Sequence, residues 1–106
     1  MVKEIDKEEI KSKLDNNEDI ILLDVRDTPE YNKEHIIGAK HLLISEMDGK
    51  AESKFNKDDT IITYSEDIDC PAKNIAAEKL EKMGFKNVMA YPGSWKDWKD
   101  SGYPME

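Results

Sequence analysis

"TIITYSEDIDCPAKNIAAEKLEKMGF", residues 60–85, places a strand, a loop and a helix in immediate succession. Thr60 to Tyr64 is a short apolar, β-branched run between polar flanks, which predicts a strand buried on both faces. A helix is predicted over 71–83: Pro71 suits its first turn, and Ala72, Ile75, Ala76, Leu80 and Met83 recur on one face at helical spacing. Gly84 stands where a left-handed residue ends a helix, and Phe85 after it can reach back to Leu80. A strand that hands a short loop to the start of a helix can hold an anion or a reactive thiol. Here the loop opens with Ser65 and closes with Cys70, the lone cysteine, and it contains no arginine.

The surrounding segments extend the alternation. "DIILLDV", residues 19–25, is a continuous apolar run that suits a second doubly buried strand. Before it, Asp6 with Glu9 three residues on makes a capping-box-like start for a helix carrying Ile10 and Leu14 on one face, ended by "NNED". After it, Thr28 is the expected N-cap ahead of Pro29 in a short helix that stops before Gly38. Brief strands are expected over 39–41 and 86–91, and a final short helix carries Trp95 and Trp98. Residues 45–59 form the one long polar segment. Strands alternating with helices predict a small α/β domain with a mostly parallel sheet, in which ligands bind at the carboxyl edge of the strands. Ser65 stands at that edge.

The whole chain narrows the possibilities further. Its 106 residues show no break in composition and fit a single domain over 1–106. The longest apolar run is Ile20 to Leu23, too short for a membrane span, and the N-terminal residues lack the apolar centre of a secretory signal, so a cytosolic location is expected. Sixteen Lys plus Arg against twenty-four Asp plus Glu give a net charge of −8 with the cations scattered, which argues against a nucleic-acid partner. One cysteine permits neither an internal disulfide nor a Cys-rich metal site, and no metal or cofactor is expected. Arg26 is the single arginine, so bidentate clamping of oxyanions elsewhere is not available.

"LLDVRDTPEYNKEHIIGAKHL", residues 22–42, resembles the N-terminal signature of the rhodanese homology domain, an apolar strand ending in Asp-x-Arg followed by a short helix and His-Ile-x-Gly-Ala. "GFKNVMAYPGSWKDWKDSGYP", residues 84–104, is similar to that family's C-terminal signature. The resemblance implies a rhodanese-like α/β fold, a central mostly parallel sheet of about five strands sandwiched by helices. It also implies transfer of sulfane sulfur through a cysteine persulfide at the first residue of the loop after "TIITY", with the loop's N–H groups wrapped around the sulfur. In this chain that position is Ser65. The family's loop carries basic residues, whereas this one offers Glu66, Asp67, Ile68 and Asp69. Its spacing to Ala76 and Ala77 is about two residues longer than the common single-domain form, resembling a variant with a second cysteine before Pro-Ala.

Serine cannot form a persulfide, and an alcohol nucleophile needs an adjacent base. His35 is expected to pin the loop after the first long strand and His41 to lie at the surface. Ser65 is then a natural loss of the nucleophile, an introduced Cys-to-Ser change, or a position that still binds an anion through backbone donors. Cys70 is the expected N-cap of the long helix, where the helix dipole lowers a thiol pKa and Asp67 and Asp69 raise it. It reads either as a sulfur-carrying thiol or as a small buried residue. Lys73, the single cation near the loop, reads as a solvated side chain or as a partial stand-in for the missing arginine. Arg26 is expected to pair with Glu34 or Asp27, and both tryptophans to anchor the core.

Two functions follow. One is a sulfurtransferase-class domain handling sulfane sulfur, with a small sulfur-donor anion or a sulfur-acceptor protein as partner and negligible thiosulfate:cyanide activity because of Ser65. The other is a non-catalytic module that meets a basic protein through its acidic loop rim. Phosphatase chemistry on a related loop would need a thiolate followed by an arginine, and fails here.

Overall fold

The computed structural model of the chain describes residues 2–106. Its elements run β1 (Lys3–Glu4), α1 (Lys7–Asp15), β2 (Ile20–Asp24), α2 (Thr28–Lys33), β3 (Lys40–His41), a 3₁₀ turn (Ile44–Glu46), α3 (Met47–Lys54), β4 (Thr60–Tyr64), α4 (Ala72–Lys82), β5 (Asn87–Ala90) and α5 (Ser94–Asp100). The five strands form one sheet in the order β1-β5-β4-β2-β3, and every pairing is parallel. β4 is central, in register with β2 from Ile20↔Thr60 to Asp24↔Tyr64 and with β5 from Thr60↔Asn87 to Thr63↔Ala90.

Burial on both faces explains why these strands lack polar alternation. Successive residues point to opposite sides, so Leu23 and Ile61 enter one core while Leu22 and Ile62 enter the other. The first core is closed by Met47 and Ala51 of α3, by Ala76, Ala77 and Leu80 of α4, and by Phe55 and Phe85. The second is closed by Ile10 of α1, Trp98 of α5, Ile36 and Tyr91. Among the described residues no helix is long and apolar enough to cross a membrane.

Several details depart from expectation. The polar segment 45–59 contains α3, whose Met47 and Ala51 are fully buried. The two-residue edge strand β1 supplies the fifth strand, pairing Lys3 with Met89. Asp27 rather than Thr28 is the N-cap of α2. Ile75 is 50% exposed, and Ala77 takes the buried place on α4 instead. Asp6 does cap α1, accepting from Glu9 N at 2.9 Å. The end of α4 is a Schellman stop: Phe85 N donates to Leu80 O, Gly84 N to Glu81 O, and Gly84 has φ +98°.

Candidate active site

β4 delivers Ser65 to the carboxyl edge of the sheet, and the chain turns through residues 66–70 into α4. Ser65 is only 1% exposed. Its amide donates to Ser94 Oγ at 3.1 Å, its carbonyl accepts from Trp95 N at 3.1 Å, and its hydroxyl reaches the Cys70 carbonyl at 3.3 Å. Its hydrogen-bond partners include neither histidine, so no base is in place to activate an alcohol. His35 Nδ1 meets Tyr31 O at 2.8 Å with its ring stacked on Tyr31, and His41 Nε2 meets Arg26 O at 2.7 Å. His35 is thus held to α2 rather than to the loop after β2, and it is His41, half-buried rather than at the surface, that bonds the β2–α2 turn.

The loop turns inward on itself. Asp67 accepts from Asp69 N and Cys70 N, both at 3.1 Å on Oδ1, an Asx-type turn that tightens the acidic segment. Ile68 at the tip is 70% exposed. Cys70 precedes the helix by one residue more than the sequence suggests, since Pro71 holds the N-cap position. Burial pushes the Cys70 thiol up, but the Ala72 N–H, the Ser65 hydroxyl, the Glu66 N–H and the Lys73 charge outweigh it and hold the thiol below its ordinary range.

Lys73 overturns its expected solvation. It is 2% exposed, and its ammonium donates to the carbonyls of Asp67 at 3.1 Å, Ile68 at 3.3 Å and Cys70 at 2.5 Å. An ammonium has three N–H donors, and each has a carbonyl. Thr63 Oγ1 fixes the base of this residue by donating to Lys73 O at 2.8 Å.

Arg26 also takes a different partner. It forms a buried bidentate pair with Asp24, Nη2 to Oδ2 at 2.8 Å and Nε to Oδ1 at 3.1 Å, and its Nη2 caps the Glu34 carbonyl at 2.5 Å. Its remaining nitrogen approaches Glu66 at 3.5 Å, so the one arginine does touch the loop, from outside. Burial and the Asp24 carboxylate push the Tyr64 phenol far above its ordinary value, keeping it protonated against Asp24 while it accepts from Ile36 N at 3.1 Å. Trp98 is fully buried and donates to Pro104 O at 2.8 Å. Trp95 packs against the margin of the second core, partly buried, and its ring lies between Arg26 and Lys99, lining a cleft of about 180 Å³ with Glu66 and Glu34.

A larger cleft of about 680 Å³ lies beside the loop, bounded by Asp67 and Ile68, the turn Tyr91–Gly93, the start of α1 and the Lys96–Asp100 face of α5. Ser65 and Cys70 line neither cleft. Among the described residues no group of three or more His, Cys, Asp or Glu could hold a metal ion. Sequence reasoning missed Ser94, whose place after a glycine turn gives no signal; it singled out Lys73, but the burial of that residue depends on loop carbonyls that composition does not reveal.

Comparison with known proteins agrees with this architecture. The Rhodanese-like domain model matches residues 6–101. The chain is 34% identical over 100 residues to the candidate sulfur carrier protein YrkF of Bacillus subtilis, covering 92% of this chain but 51% of that protein, so it spans about half of that relative's length. It is 32% identical over 81 residues to the thiosulfate sulfurtransferase GlpE of Coxiella burnetii, covering 76% of this chain and 73% of that one. The solution structure of the rhodanese-like domain of the Anabaena protein Alr3790 superposes with a TM-score of 0.89 at 32% identity, covering 100% of this chain and 80% of that one. With its parallel sheet, its loop at the carboxyl edge of β4 and both terminal signatures in place, the chain belongs to the Rhodanese-like domain family.

Proposed function

We propose that this domain carries sulfane sulfur as a persulfide on Cys70 and does not cleave thiosulfate. The observation that carries the reading is the setting of Cys70, the one thiol of the chain: its carbonyl lies 3.3 Å from the Ser65 hydroxyl and 2.5 Å from the buried Lys73 ammonium, and neighbouring N–H and O–H donors hold the thiol below its ordinary range. Such donors stabilise a thiolate, and the thiolate is the attacking species in sulfur transfer. Ser65 then acts as a donor to sulfur rather than as a nucleophile. Its single proton passes from the Cys70 carbonyl to the sulfur when the thiol ionises.

The step is an exchange at sulfur. The Cys70 thiolate attacks the outer sulfur of a donor persulfide, R–S–SH; a new S–S bond forms on Cys70, the donor's S–S bond breaks, and RS⁻ leaves with the electron pair. An acceptor thiolate reverses the step, so no net oxidant is needed. Thiosulfate is a poorer donor here for two reasons. Glu66, Asp67 and Asp69 repel a dianion, and the amides of Ser65, Asp69 and Cys70 are already bonded to protein acceptors. The relatives named as a candidate sulfur carrier and as a thiosulfate sulfurtransferase support sulfur handling as the class. The acidic rim favours a donor or acceptor protein with a basic surface, and a reducing, cytosolic setting suits a free thiol.

Incubation with a low-molecular-weight persulfide, followed by intact-mass and peptide analysis, tests this. One added sulfur atom on Cys70, absent from Cys70→Ala, is the expected result. No added sulfur under conditions that load a control persulfide carrier would overturn it, and rapid thiocyanate formation from thiosulfate and cyanide would overturn the exclusion of thiosulfate.

A further inference from the structure

We propose that Lys73 is the positioning residue of this loop: its buried ammonium gathers the carbonyls of Asp67, Ile68 and Cys70 and thereby fixes the turn around a positive charge held beside Cys70. The inference rests on the reading of Cys70 as the working thiol, and it assigns to a lysine on α4 the task that the loop's own sequence leaves unfilled.

The geometry is specific. Three carbonyls drawn inward around one ammonium, at 3.1, 3.3 and 2.5 Å, fix the peptide planes that follow Asp67, Ile68 and Cys70. Without the ammonium the Ile68 carbonyl would lose its donor, and the Asp67 and Cys70 carbonyls would keep only the Cys70 N–H at 3.2 Å and the Ser65 hydroxyl at 3.3 Å, at a cost in free energy. Lys73 is nevertheless anchored from below, because its own carbonyl accepts from Thr63 Oγ1 on the central strand at 2.8 Å. The cation is therefore tied to the sheet and the loop is tied to the cation.

The charges around the thiol make the same point. From its own loop, Asp67 lies close enough to accept the Cys70 amide at 3.1 Å, and Asp69 adjoins it in sequence. The Glu66 carboxylate is directed to Arg26 at the β2–α2 turn at 3.5 Å. From α5, Lys96 is engaged by Asp100 at 2.9 Å. Lys73 is the cation whose charge favours the Cys70 thiolate. It supplies positive potential from beneath the loop, where it is screened from water, while the rim that an incoming donor meets stays acidic. This separates two roles that a rim arginine would combine: the buried charge favours the thiolate, and the acidic loop disfavours small dianions.

The test reads thiol ionisation rather than sulfur loading, so it stands apart from the outcome for Cys70 as a carrier. The alkylation rate of Cys70 by neutral iodoacetamide is followed across pH for the native chain, Lys73→Met and Lys73→Arg. Lys73→Met is expected to move the midpoint of the profile upward and to slow alkylation at neutral pH by about three- to tenfold, with Lys73→Arg between it and the native chain. An unchanged midpoint in a Lys73→Met protein that melts cooperatively would overturn the proposal. Should that variant fail to fold, the native protein gives the answer: the Lys73 side-chain ¹⁵N and proton resonances must titrate with the same midpoint as the Cys70 Cβ. Lysine resonances indifferent to Cys70 ionisation and to its alkylation would sink it.

Discussion

Ser94 holds Ser65. The Ser94 hydroxyl accepts from Ser65 N at 3.1 Å and donates to Tyr91 O at 3.0 Å, and to do so Ser94 adopts φ +64° in a fully buried position. The left-handed conformation costs a non-glycine residue about 1–2 kcal/mol, whereas an unpaired buried amide costs about 1–3 kcal/mol and Ser94 satisfies two backbone groups. The hydrogen bonds outweigh the strain. Ser94→Gly relieves the strain but loses both bonds and is expected to destabilise by about 1 kcal/mol. Ser94→Ala keeps the strain and loses the bonds, and is expected to cost about 2–3 kcal/mol. Urea denaturation decides: a Ser94→Gly chain more stable than the native one would show that strain dominates.

The Asp24–Arg26 pair is expected to be the most sensitive charged position in the chain. Asp24 is fully inaccessible and receives both the Arg26 side chain and the Arg26 amide, the latter at 2.9 Å. Removing one partner strands the other charge in the interior, at about 3–5 kcal/mol. Arg26→Lys is not a conservative change, because an ammonium cannot reproduce the fork that also caps the Glu34 carbonyl. Denaturation midpoints for Arg26→Met and Arg26→Lys should both fall well below that of the native chain; a native-like midpoint for Arg26→Lys would reduce the pair to a point-charge contact.

What the sequence discloses follows from whether local pattern and tertiary environment agree. The stop of α4 is legible because Gly84 and Phe85 answer to backbone geometry within one turn. The polar segment 45–59 hides α3 because only one narrow stripe faces the core, although Met47, Ala51 and Phe55 at steps of four carry the helical signal. β1 has no side-chain signature at all: Lys3 and Glu4 are exposed, and their strand exists through backbone pairing to β5. Lys73 misleads for a different reason. A lysine one turn into an amphipathic helix reads as solvated, and its burial is created by carbonyls of residues that precede it in a loop of no regular form.

Asp97 is expected to set part of the acid limb of stability. Burial pushes its carboxyl up, but hydrogen bonds from Tyr91 Oη at 2.6 Å and Lys7 Nζ at 3.0 Å outweigh it and hold it below the ordinary carboxylate range. A depressed folded-state pKa contributes stability that is present above the unfolded carboxylate pKa and lost as pH falls through the folded value. With the Asp97 side chain 36% exposed, screening limits the contribution to about 1 kcal/mol or less. Asp97→Asn should therefore show a shallower loss of stability below about pH 4 than the native chain. Identical acid slopes in thermal melts would place the acid sensitivity elsewhere.

The acidic rim should select reagents by charge before any chemistry occurs. Glu66, Asp67 and Asp69 lead into Cys70 along the loop, and Lys73, whose charge favours the thiolate, is buried against the loop carbonyls. An anionic reagent meets the rim field at long range, where salt screens it over about 10 Å at 0.1 M, while a neutral one does not. Iodoacetate should consequently alkylate Cys70 more slowly relative to iodoacetamide than it does a free thiol, with the gap narrowing as salt is raised. Asp69→Asn should narrow the gap at low salt by about two- to threefold, as expected for removing one partly screened charge a few ångströms away. Asp67 is a poor choice for this test, since its carboxylate also builds the turn. A charge-independent rate ratio at low salt would mean that the rim does not face the incoming reagent, and the reason for excluding thiosulfate would then reduce to the engaged backbone donors alone.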